Sequence, residues 1–140
     1  MKIDLKKKLN MSTMISEKTC IDERLPNHVV EPFEMYYQYH VEDKGDYFLL
    51  KLQESANIPI YCQRCMQAFT TDYQLVSELA ICPNEQMAEK YQSSYDVIVA
   101  NDYLVDFKEI LIDNVYLFSP QFHLQLADCD QNHVKLMQND

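Results

Sequence analysis

Cys62, Gln63, Arg64 and Cys65 form the one arrangement in this sequence whose residue types and spacing could carry defined chemistry. A C-x-x-C step lets two thiolates reach one tetrahedral metal ion from a tight turn, but it supplies half a site. Two more ligands are needed. The chain offers Cys129 with His123 or His133 and, less directly, Cys82, at spacings that match no standard finger. A redox pair would instead open a helix whose N-terminus depresses a thiol pKa. Met66–Thr71 (MQAFTT) reads as a strand entry, and no alternation of parallel strands and helices surrounds it. The plainest alternative makes Cys62 and Cys65 small buried apolar residues flanking a hairpin turn. Cys20 and Cys82 read as core or incidental thiols. Arg64 reads as a lone exposed cation at the turn, open to phosphate, a partner carboxylate or solvent.

No catalytic signature accompanies the cysteines, and the expectation is a protein without enzymatic activity. His28 and His40 stand apart from any nucleophile, and with 22 acidic residues carboxylate pairs arise by chance. Gly45 is the only glycine. P-loops, dinucleotide fingerprints and G-x-S-x-G elbows each require at least two, so nucleotide chemistry of those kinds is excluded. Five cysteines in a 140-residue chain argue against an extracellular disulfide framework. The lysine-bearing start, MKIDLKKKLNMSTM, has no apolar stretch of the secretory kind, and no run is long enough to span a bilayer. A cytoplasmic protein is expected.

The elements that must position the cysteines follow from periodicity. Phe33–Glu42 and Asp46–Glu54 are aromatic-rich and partly alternating, with Asp43, Lys44 and Gly45 between them, which is a hairpin signal. Ile58–Tyr61 and Met66–Ile81 continue the β pattern, and the C-x-x-C falls at the turn joining them. Asn84–Gln92 is polar with a short helix, and Asp96–Ala100 reads as another strand. Asp106 followed by Glu109 forms a capping box that opens the main helix; Phe107, Ile110, Leu111, Val115 and Phe118 recur at helical spacing, and Pro120 stops it. The expected fold is one α+β domain: an antiparallel sheet of about five strands covered by one C-terminal helix. Residues 33–120 form its core, residues 1–32 a loosely ordered arm and residues 121–140 a tail of loop.

The net charge of −10 is unevenly placed. Residues 1–18 carry five lysines against Asp4 and Glu17, giving +3, while residues 66–140 carry three lysines against twelve acids, giving −9. Phosphate affinity comes from Lys and Arg releasing counterions, so a broad nucleic-acid footprint is absent. Lys6, Lys7, Lys8 and Arg64 are the candidate contact residues for nucleic acid or a partner protein, and a basic protein surface is the natural complement of the rest.

The ordered series of the C-Q-R-C hairpin, Phe69, an acidic stretch, the helix over Val105–Leu117, Pro120, His123 and Cys129 resembles the YceD family, the large ribosomal RNA subunit accumulation proteins of bacteria and plastids. The resemblance covers roughly residues 58–130. It implies a non-enzymatic role in accumulation or processing of large-subunit (23S) ribosomal RNA, with the large-subunit precursor, its RNA or its basic proteins, as partner. No membrane or small-molecule substrate is implied. Some members carry a second C-x-x-C in the tail, which suggests zinc; here the tail offers only His123, Cys129 and His133. The resulting metal set is Cys62, Cys65, Cys129 and His123. The alternative function is a zinc- or thiol-based regulatory module built on Cys62 and Cys65.

Overall fold

A computed structural model describes residues 2–9, 13–123 and 129. His133 lies outside the described residues, as does most of the expected tail. The elements in order are β1 (Ile3–Asp4), β2 (Ile15–Ile21), β3 (Phe33–Asp43), β4 (Phe48–Tyr61), β5 (Ala68–Cys82), α1 (Glu85–Tyr91), β6 (Asp96–Val99), β7 (Leu104–Val105) and α2 (Phe107–Phe118). β2 to β6 form one sheet in sequence order, and β1 pairs with β7 in a separate two-stranded ladder.

Alternation along the long strands sorts their side chains onto two faces. Met35, Tyr37 and Tyr39 of β3 and Leu50, Leu52, Ile58 and Ile60 of β4 share the buried face. α2 lies over that face, with Phe107 stacked on Tyr37 and tilted against Tyr39 at centroid distances of 5.3 and 4.5 Å and Leu111 and Val115 fully buried. Burying a side chain such as Leu111 contributes about 2 kcal/mol of transfer free energy. The helix begins where the capping box puts it: Asp106 accepts from the Glu109 N–H at 3.3 Å. On the opposite face, Tyr47, Leu49, Ala80 and Cys82 pack under α1 as a second, smaller cluster. Asn84 caps α1 by accepting from the Met87 N–H.

Several expectations need correction. The sheet is mixed, because β6 runs parallel to β5 with α1 as the crossover. Two α-helices are present among the described residues where one main helix is expected, the shorter being the expected polar helix. The described residues among 1–32 are not a loose arm: β2 pairs along its whole length with β3, Ile21 is fully buried at one end of it, and Leu5 is fully buried after β1. Glu17 and Thr19, paired opposite the buried Tyr37 and Met35, dilute the alternation that would have announced β2. The second and third expected strands are one, β4, which runs unbroken through Pro59. Phe118, expected on the buried face of the helix, is 54% exposed, and Ile112 is buried in that helix instead. No helix among the described residues is long and apolar enough to cross a membrane.

Candidate metal centre

β4 ends at Tyr61 and β5 starts at Ala68, so the C-x-x-C occupies the hairpin turn between two long paired strands. The turn is held by its own backbone: Cys62 donates to the Gln67 carbonyl at 3.0 Å, and Met66 donates to the Cys62 carbonyl at 2.8 Å. Met66 adopts φ +64°, the left-handed region that glycine usually fills. With no glycine available, the turn accepts a local strain of about 1 kcal/mol. Both thiols face inward, and Cys62 and Cys65 are fully buried.

The chain leaving α2 crosses directly over this turn. Ser119 closes the helix by donating its N–H to the Val115 carbonyl at 3.0 Å, and its hydroxyl also donates to Val115. His28 Nε2 lies 2.8 Å from the Ser119 oxygen, so with that hydroxyl proton committed the imidazole donates from Nε2. Burial lowers the pKa of His28, in keeping with a neutral ring. Beyond Pro120, the Gln63 N–H donates to the Gln121 carbonyl at 2.8 Å, and Arg64 Nη2 donates to the His123 carbonyl at 2.7 Å while its guanidinium stacks on Phe122 at 5.2 Å. His123 stacks on Phe69 with centroids 4.2 Å apart. These contacts deliver the His123 imidazole to the thiols.

Cys62, Cys65, His123 and Cys129 place one ligand atom each within 4.8 Å of all the others. Cys62 Sγ and Cys129 Sγ are 3.7 Å apart, Cys65 Sγ and His123 Nδ1 3.6 Å, and Cys129 Sγ and His123 Nδ1 3.5 Å. A tetrahedron with bonds of about 2.3 Å to sulfur and 2.0–2.1 Å to nitrogen has sulfur–sulfur edges of about 3.8 Å and sulfur–nitrogen edges of about 3.5 Å. The three distances match three of the six edges of such a tetrahedron, and Cys62 Sγ and Cys129 Sγ are far too separated for a disulfide. The donors fit zinc in chemistry as well as in spacing.

The electrostatics favour a thiolate at Cys62. Burial opposes it, but the N–H groups of His123, Cys65 and Arg64 and the His123 side chain all address the sulfur, and the balance brings its pKa down to about 5. At Cys129, burial and then the neighbouring Cys62 and Cys65 push the pKa up to about 11. A cluster in which one thiol ionises at the expense of the next is short of positive charge, and a divalent cation would remove that conflict.

The four expected metal residues thus come together. Cys82 does not join them, since it sits on the opposite face under α1, and Cys20 is exposed on β2. Arg64 is not the free cation expected at a turn: it is half-buried and bound to His123 and Phe122. Lys6, Lys7 and Lys8 form a short turn after β1, which pairs with β7 ahead of α2, whereas Arg64 is bound to the segment beyond the other end of α2. A 12-residue helix is about 18 Å long, so the lysines and Arg64 are not one surface. The positioning roles of His28, Ser119, Gln121 and Phe122 have no signal in the sequence, because each depends on which segment lies across the turn.

Comparison with known proteins returns no matching family model, no matching curated relative and no matching solved structure. Fold and site define a small α+β domain whose cysteine hairpin and post-helical segment converge on one cluster of metal-binding type.

Proposed function

We propose that the protein is a non-enzymatic, zinc-stabilised binding domain that serves assembly of the large ribosomal subunit. The metal assignment is carried by the tetrahedral spacing of Cys62, Cys65, His123 and Cys129. The zinc is structural, with all four positions filled by protein and no place for a reacting water, and it ties the chain after α2 to the β4–β5 hairpin. The ribosomal role is supported by the YceD-like series of C-Q-R-C, capped helix, Pro120, His123 and Cys129. Lys6, Lys7 and Lys8 are its candidate RNA contacts. Arg64 serves the site itself, and the acidic body suits basic ribosomal proteins.

Protein purified without chelator is expected to carry one zinc per chain by elemental analysis, and Cys62→Ser or Cys129→Ser to carry none. Metal-free, fully folded wild-type protein overturns the zinc assignment. In cell extracts the tagged protein is expected to sediment with large-subunit precursors; a protein found wholly at the top of the gradient, with large-subunit RNA unchanged on deletion, overturns the ribosomal role. A thiol-sensor reading draws on the lowered pKa of Cys62, but that sulfur is fully buried, and a sensor thiol has to meet its oxidant.

A further inference from the structure

The free edge of β5 is the other feature of this fold built to engage something. β5 pairs with β4 along its whole length, but β6 covers only Leu79–Cys82. Among the described residues, no strand pairs with the outer edge from Ala68 to Glu78. The direction of its polar groups follows from the ladder. Gln67 turns its carbonyl toward the β4 side, accepting from Cys62, and at the other end Cys82 turns its carbonyl away from β4, accepting from Ala100. The register between them is unbroken, so Ala68, Thr70, Asp72, Gln74, Val76 and Glu78 direct their N–H and C=O groups outward.

Natural sheets blunt such edges with Pro, Lys, bulges or a covering element, and this stretch contains no Pro, Lys or Gly. A groove of about 590 Å³ runs beside the edge, floored by Leu75, Leu79 and Ile98 and walled by the exposed Leu117 and Phe118 of α2. Glu78 and Asp96 stand at the end where β6 stops, and neither makes an ion pair among the described residues. A strand beside a helix, with unpaired backbone on one side and apolar pockets on the other, is the geometry that accepts an extended peptide by strand addition.

We propose that the Ala68–Glu78 edge of β5 binds an extended, lysine- or arginine-bearing segment of a partner protein as an added strand, its apolar side chains entering the groove against Leu75, Leu117 and Phe118. Charge complementarity with Asp72, Glu78 and Asp96 selects the basic segment. The inference rests on the sheet edge and the α2 residues beside it, and stands independently of the metal centre and of the ribosomal role.

The test uses purified full-length protein and three labelled decapeptides: alternating Lys-Val, alternating Asp-Val, and Lys-Val with alternate amides N-methylated. By fluorescence anisotropy the Lys-Val peptide is expected to bind at least tenfold more tightly than either of the others. The amides of Thr70, Asp72, Gln74 and Val76 are expected to gain hydrogen-exchange protection. Val76→Pro removes an outward donor while leaving the β4 ladder intact, and is expected to weaken binding at least tenfold. Leu117→Ser, at a site 73% exposed, is expected to weaken it severalfold, and it serves as the variant should the proline disturb folding. Equal binding of the Lys-Val and Asp-Val peptides, or of the methylated and unmethylated ones, overturns the proposal. So does concentration-dependent self-association lost in Val76→Pro, which would assign the edge to a second copy of the chain.

Discussion

Beneath α2, Leu50, Leu52, Ile58, Leu111 and Val115 are each held by dozens of weak contacts, and the loss of one leaves the others in place. At the turn beyond the end of β4, four potential ligand atoms from two distant stretches of chain lie within 4.8 Å of one another, and with a metal between them the loss of one would leave three that no longer close a tetrahedron. The first region is redundant and tolerant of gradual change; the second, as the proposed zinc centre, would be all-or-none and depend on pH and metal supply. A domain with a single glycine has few ways to turn its chain tightly, and the second region shows one of them: the cysteine turn uses Met66 at positive φ where glycine would be ordinary.

The contrast is broken most directly by chelation. With zinc present at about a thousandfold over its dissociation constant, removing it is expected to cost about 4 kcal/mol, on the order of 10 °C in the thermal midpoint. Cys62→Ser, already metal-free, is expected to show no response to chelator in the same melt. Leu111→Ala is expected to cost about 3 kcal/mol while leaving zinc stoichiometry at one per chain. If the two regions are independent, its cost and that of chelation add; strong non-additivity in the melts would show a single cooperative unit.

A smaller test lies within the core. Glu54 is 3% exposed under α2, where Asn114 donates to one carboxylate oxygen at 2.6 Å and the other has no hydrogen-bond partner. Burial raises its pKa from 4.5 to about 7, against the opposing pull of Asn114. A raised carboxyl pKa favours the protonated, folded form. Its contribution is therefore complete below about pH 4.5 and is lost as pH rises through about 7, a swing of about 3 kcal/mol. Glu54→Gln is expected to flatten denaturation midpoints measured between pH 5 and pH 8 by about that amount. An unchanged pH profile would place the carboxylate in contact with water. The smallest effect is expected at the turn: Met66→Gly relieves the left-handed strain and stabilises by at most about 1 kcal/mol in urea unfolding, with zinc content unchanged.

Sequence patterns announced some elements and hid others for identifiable reasons. The β3–β4 hairpin and α2 carry strong local signals, an aromatic alternation around Asp43, Lys44 and Gly45 and a capping box at Asp106, and both fall where those signals put them. β2 carries a weak one, since Glu17 and Thr19 occupy positions that alternation would give to apolar residues. The parallel direction of β6 has no local signature at all, because it depends on α1 carrying the chain back along the sheet. Phe118 fits the helical stripe but stands where α2 overhangs the open edge of β5, so its periodicity points at a groove instead of a core.

The sequence by itself determined the cysteine pair and its setting: two cysteines with two residues between them at the joint of two β-patterned stretches, with His123 and Cys129 among the residues able to complete a metal site. It did not distinguish a metal half-site from two buried apolar thiols, because ligand spacing along the chain carries no information about distance when Cys65 and His123 are 58 positions apart. The tertiary structure decided the partners. β4 and β5 set the height of the turn, α2 ends beside it, and His28 and Ser119 fix the angle at which the chain leaves the helix. The cluster forms because those three constraints meet at one point, and contacts so remote in sequence are selected by packing and not by pattern.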